Sequence, residues 1–132
     1  MKALKIILWF AAISSGLSGF INAFLPWHLI NEWMIYTETP TLGNEPATIY
    51  MYRLGFMAYG MFGVFFGILA LNPLKYGAML PFAASFLFCY ASFRLVGGIL
   101  YQYPIEKYVP DFVICFLLGS LILFLRKRVL KK

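Results

Sequence analysis

Charge is scarce in this chain. Only 12% of its 132 residues are charged, and just five are acidic. A soluble domain of this length carries about 25% charged residues, so a water-facing globular surface is excluded. Histidine occurs once, as His28, which rules out a bis-histidine haem within one chain. His28 and Glu32 are spaced i, i+4, but two ligands without a third make a poor metal site. Cysteine occurs twice, at Cys89 and Cys115, with no Cys-x-x-Cys pair. A glycine-rich nucleotide loop and a Ser/His/Asp set are also missing. No cofactor or metal is expected, and a catalytic role is less expected than a non-catalytic one.

What the chain has in abundance is apolar surface. Hydrophobic residues make up 62% of it, and the mean hydropathy is +0.80. Apolar stretches near 20 residues match a hydrocarbon layer about 30 Å thick. Four such runs predict one all-α transmembrane domain over residues 1–132, a polytopic integral membrane four-helix bundle. The predicted helices cover about 6–27, 50–71, 79–101 and 109–125. Asn72-Pro73 ends the second, because proline disfavours helix in the residue before it. Pro81 falls in the first turn of the third, and Pro110 opens the fourth. The charged and apolar start, Met1–Lys5 then Ile6–Ile13, has the form of a signal peptide, but no convincing small-x-small cleavage site follows. The segment is expected to be retained as the first helix.

The charges orient these runs. All five acids (Glu32, Glu38, Glu45, Glu106, Asp111) fall in or beside two of the inter-run segments. Eight bases fall on the opposite side of an alternating path: Lys2, Lys5, Lys75, Arg126, Lys127, Arg128, Lys131 and Lys132. Only Arg53, Arg94 and Lys107 share the acidic side. The positive-inside rule then puts both termini and the Lys75 turn in the cytoplasm, with a bacterial inner membrane as the expected location. The net charge of +6 is thereby assigned to orientation, and no nucleic-acid partner is expected. Trp27, Trp33, Tyr36, Tyr50, Tyr52, Tyr101, Tyr103 and Tyr108 would form the outer aromatic belt. Trp27, Ile30, Trp33 and Met34 recur at helical spacing, predicting a surface helix over about 27–36. Thr39 to Pro46 reads as a turn-rich loop. The inner half of such a bundle holds no buried acid or histidine, which argues against a self-contained pump or channel.

Helical periodicity sorts the faces. On the first helix, Ala11, Ala12, Ser15, Ser18, Gly19 and Asn22 share one side. Ile6, Phe10, Ile13, Leu17, Phe20 and Phe24 share the other. Small residues allow close approach of membrane helices, so the first side is expected to pack inward. On the second helix Gly60, Gly63 and Gly67 form a comparable groove, open to intramolecular packing or to homodimerisation. Cys89 and Cys115, at depths roughly 9 Å apart on helices rising ~1.5 Å per residue, are expected as buried small residues.

Arg94 carries the strongest local signal, because a charge at membrane depth needs a partner. Asn22, Arg53, Arg94 and Asp111 each bring one polar group to the acidic side of a different helix. Tyr52, Tyr90 and Tyr101 add hydroxyls. Three readings stand open. Asp111 pairs one arginine in an internal clasp. Or the two arginines form a pocket for a carboxylate, a phosphate or a lipid headgroup. Or Arg53 snorkels to the interface.

In layout the chain resembles the small DoxX-like four-helix membrane proteins. The resemblance rests on Arg53-Leu54-Gly55 with Gly60, Gly63 and Gly67, on Arg94-Leu95-Val96-Gly97, and on the short outer loop with Pro104. Some of those proteins are associated with quinone-linked or sulfur-compound oxidation, usually as subunits beside other chains. This chain has no redox cysteine pair, a departure that speaks against a redox role. It is more loosely similar to small sterol-pathway scaffolding proteins, which also carry an arginine in the third helix. The small polar inventory, the small-residue grooves and the abundant aromatics, together with these similarities, point to a small accessory or scaffold subunit beside membrane-protein partners, and the glycine groove leaves a homo-oligomer open. The alternative is a binder or enzyme for an anionic amphiphile at the arginines. Fourteen Phe, nine Tyr and three Trp supply large contact surfaces for partners or membrane lipids.

Overall fold

The computed structural model describes residues 1–37 and 41–130. Glu38, Thr39, Pro40, Lys131 and Lys132, named above for the charge pattern and the loop, lie outside the described residues. Five helices run in the order α1 (Lys2–Phe24), α2 (Trp27–Tyr36), α3 (Pro46–Leu71), α4 (Leu80–Leu100) and α5 (Ile105–Leu130). The protein is all-α among the described residues. The helices α1, α3, α4 and α5 are each long and apolar enough to cross a membrane, as a multi-pass four-helix membrane protein requires.

Helix boundaries follow the prolines, though not always the expected one. The first helix stops at Phe24, short of Trp27, because Pro26 disfavours helix at Leu25. Pro26 then serves as the N-cap of α2 with an extended ψ of 138°. Pro46 opens α3 four residues ahead of the predicted start, since a first-turn proline gives up no needed donor. The last helix starts at Ile105, so Pro104 plays the part expected of Pro110. Pro110 instead sits inside α5 and deprives the Glu106 carbonyl of its i+4 donor. Between α3 and α4, the Asn72 side chain accepts from the Lys75 amide three residues on at 3.2 Å, a local side-chain-to-backbone bond of the capping kind.

The chain falls into two compact units, Ala11–Gly67 and the remainder, Met1–Phe10 with Ile68–Lys132. The boundary cuts α1 and α3 along their lengths.

In the Ala11–Gly67 unit, α1 and α3 meet backbone to backbone. A Cβ on Gly19 would run into the Gly60 backbone and lie 2.8 Å from the Phe56 carbonyl. A Cβ on Gly63 would run into Gly16 and lie 2.8 Å from the Ala12 carbonyl. Ala11, Ala12, Ser15 and Gly19 are buried. The Ser15 hydroxyl donates back to the Ala11 carbonyl at 2.5 Å. Two residues depart from the predicted faces. Ser18 is exposed, and Phe20 turns its ring onto Gly60, where the missing side chain leaves room for it.

In the other unit, α4 and α5 pack against each other, and Leu80, Ala84, Leu87 and Ala91 of α4 and Ile122 of α5 are buried. Gly119 admits the Phe88 ring, which meets Phe116 edge-on at 5.3 Å. Both cysteines are free thiols, but Cys89 is exposed on α4 and only Cys115 is partly covered. The expectation of two buried cysteines fails for Cys89. A weakly polar thiol costs little on an apolar surround.

Candidate functional site

The polar residues singled out in the sequence occur as two sets, one in each unit. In the first set, Arg94 of α4 donates to the Asp111 carboxylate of α5 at 2.5 Å and to the Lys107 carbonyl at 3.1 Å. Lys107 and Asp111 are one turn apart, so they share a strip of α5 facing the guanidinium. The pair is partly exposed, at 36% and 46% for the two side chains. The Arg94 Nε is buried without an acceptor. Tyr90 lies one turn before Arg94, and both Tyr90 and Cys115 lie within electrostatic range of the pair.

Tyr101 does not join this set. The helix α4 ends at Leu100, and Tyr101 is its C-cap, 80% exposed. Gln102 follows at φ 50°, a left-handed step that turns the chain. The Tyr103 amide then closes onto the Gly98 carbonyl at 2.9 Å. The aromatic that does pack here is Tyr108, only 8% exposed, with its ring against Gly98. Tyr108 stood out in the sequence only as a belt aromatic. The available signal was the Gly97-Gly98 pair, which leaves a gap one turn beyond Arg94 that a ring can fill.

In the second set, Tyr52 of α3 donates its hydroxyl to the Asn22 side-chain oxygen at 3.1 Å. Asn22 in turn donates to the Ser18 carbonyl at 2.8 Å. Arg53 reaches the Leu25 carbonyl at 3.4 Å, and its Nε too is buried without an acceptor. Trp27 stacks edge-on against Tyr52 at 5.3 Å and donates its indole N–H to Asn44 at 2.9 Å. This contact ties the start of α2 to the loop before α3. It was missed in the sequence, although a partly covered indole N–H always calls for an acceptor.

A common logic runs through both sets and the basic residues. The last four carbonyls of any helix have no partner of their own, and their negative end attracts cations. Neither α1 nor α3 has a basic residue in its last turn. Each borrows one from another segment: Arg53 reaches Leu25 just past α1, and Lys5 donates to Leu71 at the end of α3 at 3.2 Å. Arg126 of α5 does the same for Gly77 in the α3–α4 turn, at 2.9 Å.

Chemically, the Arg94–Asp111 pair is a neutral, hydrogen-bonded clasp, and Arg53 is a carbonyl cap. No group of three His, Cys, Asp or Glu residues able to hold a metal occurs among the described residues. Of the predicted packing residues, Gly19, Gly60 and Gly63 lie in the α1–α3 contact, Ser15 is buried, and Gly67 is half-buried at the edge of its unit. No family model matches the chain, and neither the curated proteins nor the solved structures yield a match.

Proposed function

We propose that the protein is a small integral membrane accessory or scaffold subunit that packs against larger membrane-protein partners. The observation that carries this reading is the commitment of the two intramembrane arginines. Arg94 spends its charge on Asp111 and Lys107, and Arg53 on Leu25. Groups bound in this way hold helices together and leave little to act on a substrate. The surface supports the same reading. The helix α5 is the least covered span, with 11% of its most apolar stretch buried against 28–33% in the other three. A helix so bare, with Phe116, Leu117, Leu121 and Phe124 exposed, suits contact with another apolar helix or with lipid. Both termini on the cytoplasmic side of a bacterial inner membrane complete the proposal, on the strength of the charge bias.

A second reading has one observation in its favour. The Nε atoms of Arg94 and Arg53 are each buried with no acceptor, and a buried unpaired donor is costly. An anionic amphiphile whose head reached either arginine would satisfy it. Native mass spectrometry of the chain gently extracted from its own membrane separates the two. A complex with other chains supports the accessory subunit. A monomer or homo-oligomer carrying a bound amphiphile that is lost in Arg53→Gln or Arg94→Gln supports the second reading and overturns the first.

A further inference from the structure

The two carbonyl caps contributed by Lys5 and Arg126 bring three chain segments to one end of their unit. Lys5 ties the start of α1 to Leu71, and Arg126 ties the last turns of α5 to Gly77. The bases of these segments therefore divide into two groups. Lys5 and Arg126 are half-buried and committed to carbonyls. Lys2, Lys75, Lys127 and Arg128 are exposed. No acidic residue occurs in residues 1–10, 68–105 or 112–132, so none of these segments offers a carboxylate to neutralise them.

The flank below this end is apolar and continuous. Leu117, Leu121, Phe124 and Arg128 follow one another at helical spacing on α5, and the first three are exposed. The Arg128 guanidinium lies 4.5 Å over the Phe124 ring. Stacking uses the face of the guanidinium and leaves its in-plane N–H donors for an anion. A strip of apolar side chains that ends in a stacked arginine matches an acyl chain that ends in a charged headgroup.

We infer that this end of the protein binds an acidic phospholipid. The headgroup phosphate is held by Arg128 together with Lys127 and Lys75, and an acyl chain runs along Leu117, Leu121 and Phe124. Basic clusters at the ends of membrane helices recognise acidic lipids in this way. The position of the bases at the ends of apolar spans favours a lipid phosphate over a soluble polyanion.

A tryptophan on the strip itself offers the test. Leu121 is exposed and lies in the middle of the strip. The full chain carrying Leu121→Trp together with Trp9→Phe, Trp27→Phe and Trp33→Phe, so that position 121 holds its only tryptophan, is reconstituted in phosphatidylcholine vesicles. Brominated phosphatidylglycerol or brominated phosphatidylcholine is then titrated in, and the quenching at position 121 is read. The anionic lipid is expected to be preferred by roughly two- to fivefold. The preference should vanish in the Lys75→Gln/Lys127→Gln/Arg128→Gln chain and persist in Lys107→Gln, which alters the opposite end of α5. Equal quenching by the two lipids, or a preference that survives the triple substitution, overturns the inference. If the single-tryptophan chain does not fold, the same competition is read on the wild-type chain by native mass spectrometry from lipid nanodiscs. Equal retention of the two lipids there would overturn it as well.

Discussion

The Tyr108 ring of α5 occupies the space that a side chain on Gly98 of α4 would need. This contact sits one turn beyond the Arg94–Asp111 pair and beside the Gly98–Tyr103 backbone bond. Ring, ion pair and backbone bond together fix how α5 leaves the turn after α4.

The contact sets the first prediction. Gly98→Ala drives a methyl into the Tyr108 ring and should destabilise the protein by about 1–3 kcal/mol, the usual range for overpacking. Gly97→Ala is the control, because a Cβ there meets nothing within 4 Å. It should be neutral or slightly stabilising, since alanine is the better helix former. Unfolding of the two variants in a denaturing detergent titration measures both effects. Equal loss in the two would remove Tyr108 from its assigned place.

Arg94 and Asp111 set the second. Arg94→Leu leaves the Asp111 carboxylate without its partner, and Asp111→Leu leaves the guanidinium with only the Lys107 carbonyl. Each single change should weaken the fold, and the double change should cost less than the sum of the two. The coupling expected from a double-mutant cycle is about 1 kcal/mol, typical of polar pairs between membrane helices. Strict additivity would mean that the pair does not act as a clasp.

The spans, the short helix over 27–36 and the need of a buried arginine for a partner were legible because each follows from one strong constraint, while which arginine Asp111 would pair stood open. Apolar length sets a span. A charge at depth demands an opposite charge. The remaining polar contacts were harder to foresee because their acceptors are backbone carbonyls, which every residue carries. Nothing in residue identity marks Leu25, Leu71, Gly77 or Lys107 as the carbonyl that a cation will reach. The proline errors have a related cause. Pro104 and Pro110 are equally acceptable near a helix start, and the earlier one opens α5, with the Lys107 amide bonded back to the Pro104 carbonyl. Tyr101 was misjudged for a similar reason: the helix ends one residue before it, so periodicity no longer applies.

The α1–α3 crossing gives a third prediction. Gly63→Leu places a bulky side chain where the Gly16 backbone and the Ala12 carbonyl now stand. The helices must separate, at a cost of at least the 1–3 kcal/mol of ordinary overpacking. Gly55→Leu, where a Cβ meets nothing within 4 Å, should leave stability nearly unchanged. Gly63→Ala, whose methyl would still run into the Gly16 backbone, should show a smaller loss of the same sign. Unfolding in a denaturing detergent titration measures the three variants. Equal stability of Gly63→Leu and Gly55→Leu would argue that Gly60 and Gly63 face another molecule instead.

The last prediction concerns orientation. Lys5 and Arg126 bond to the same turn region through Leu71 and Gly77, so the start of α1 and the last turns of α5 lie at one end of their unit. Four membrane crossings require this, and an odd number would forbid it. Compartment-sensitive reporters fused to the two termini should therefore give the same signal. The lysine and arginine bias predicts that the signal is cytoplasmic, and a reporter inserted after Gly43 should give the opposite one. Orientation depends on the summed bias and not on the two capped bases alone. Replacing Lys75, Lys127 and Arg128 by glutamine should then raise the fraction of inverted molecules, while Lys5→Gln should chiefly weaken the α1–α3 end. Opposite signals from the two termini would overturn the four-span arrangement. A uniform outside signal from both would keep the four spans and reverse the assignment of the basic end to the cytoplasm.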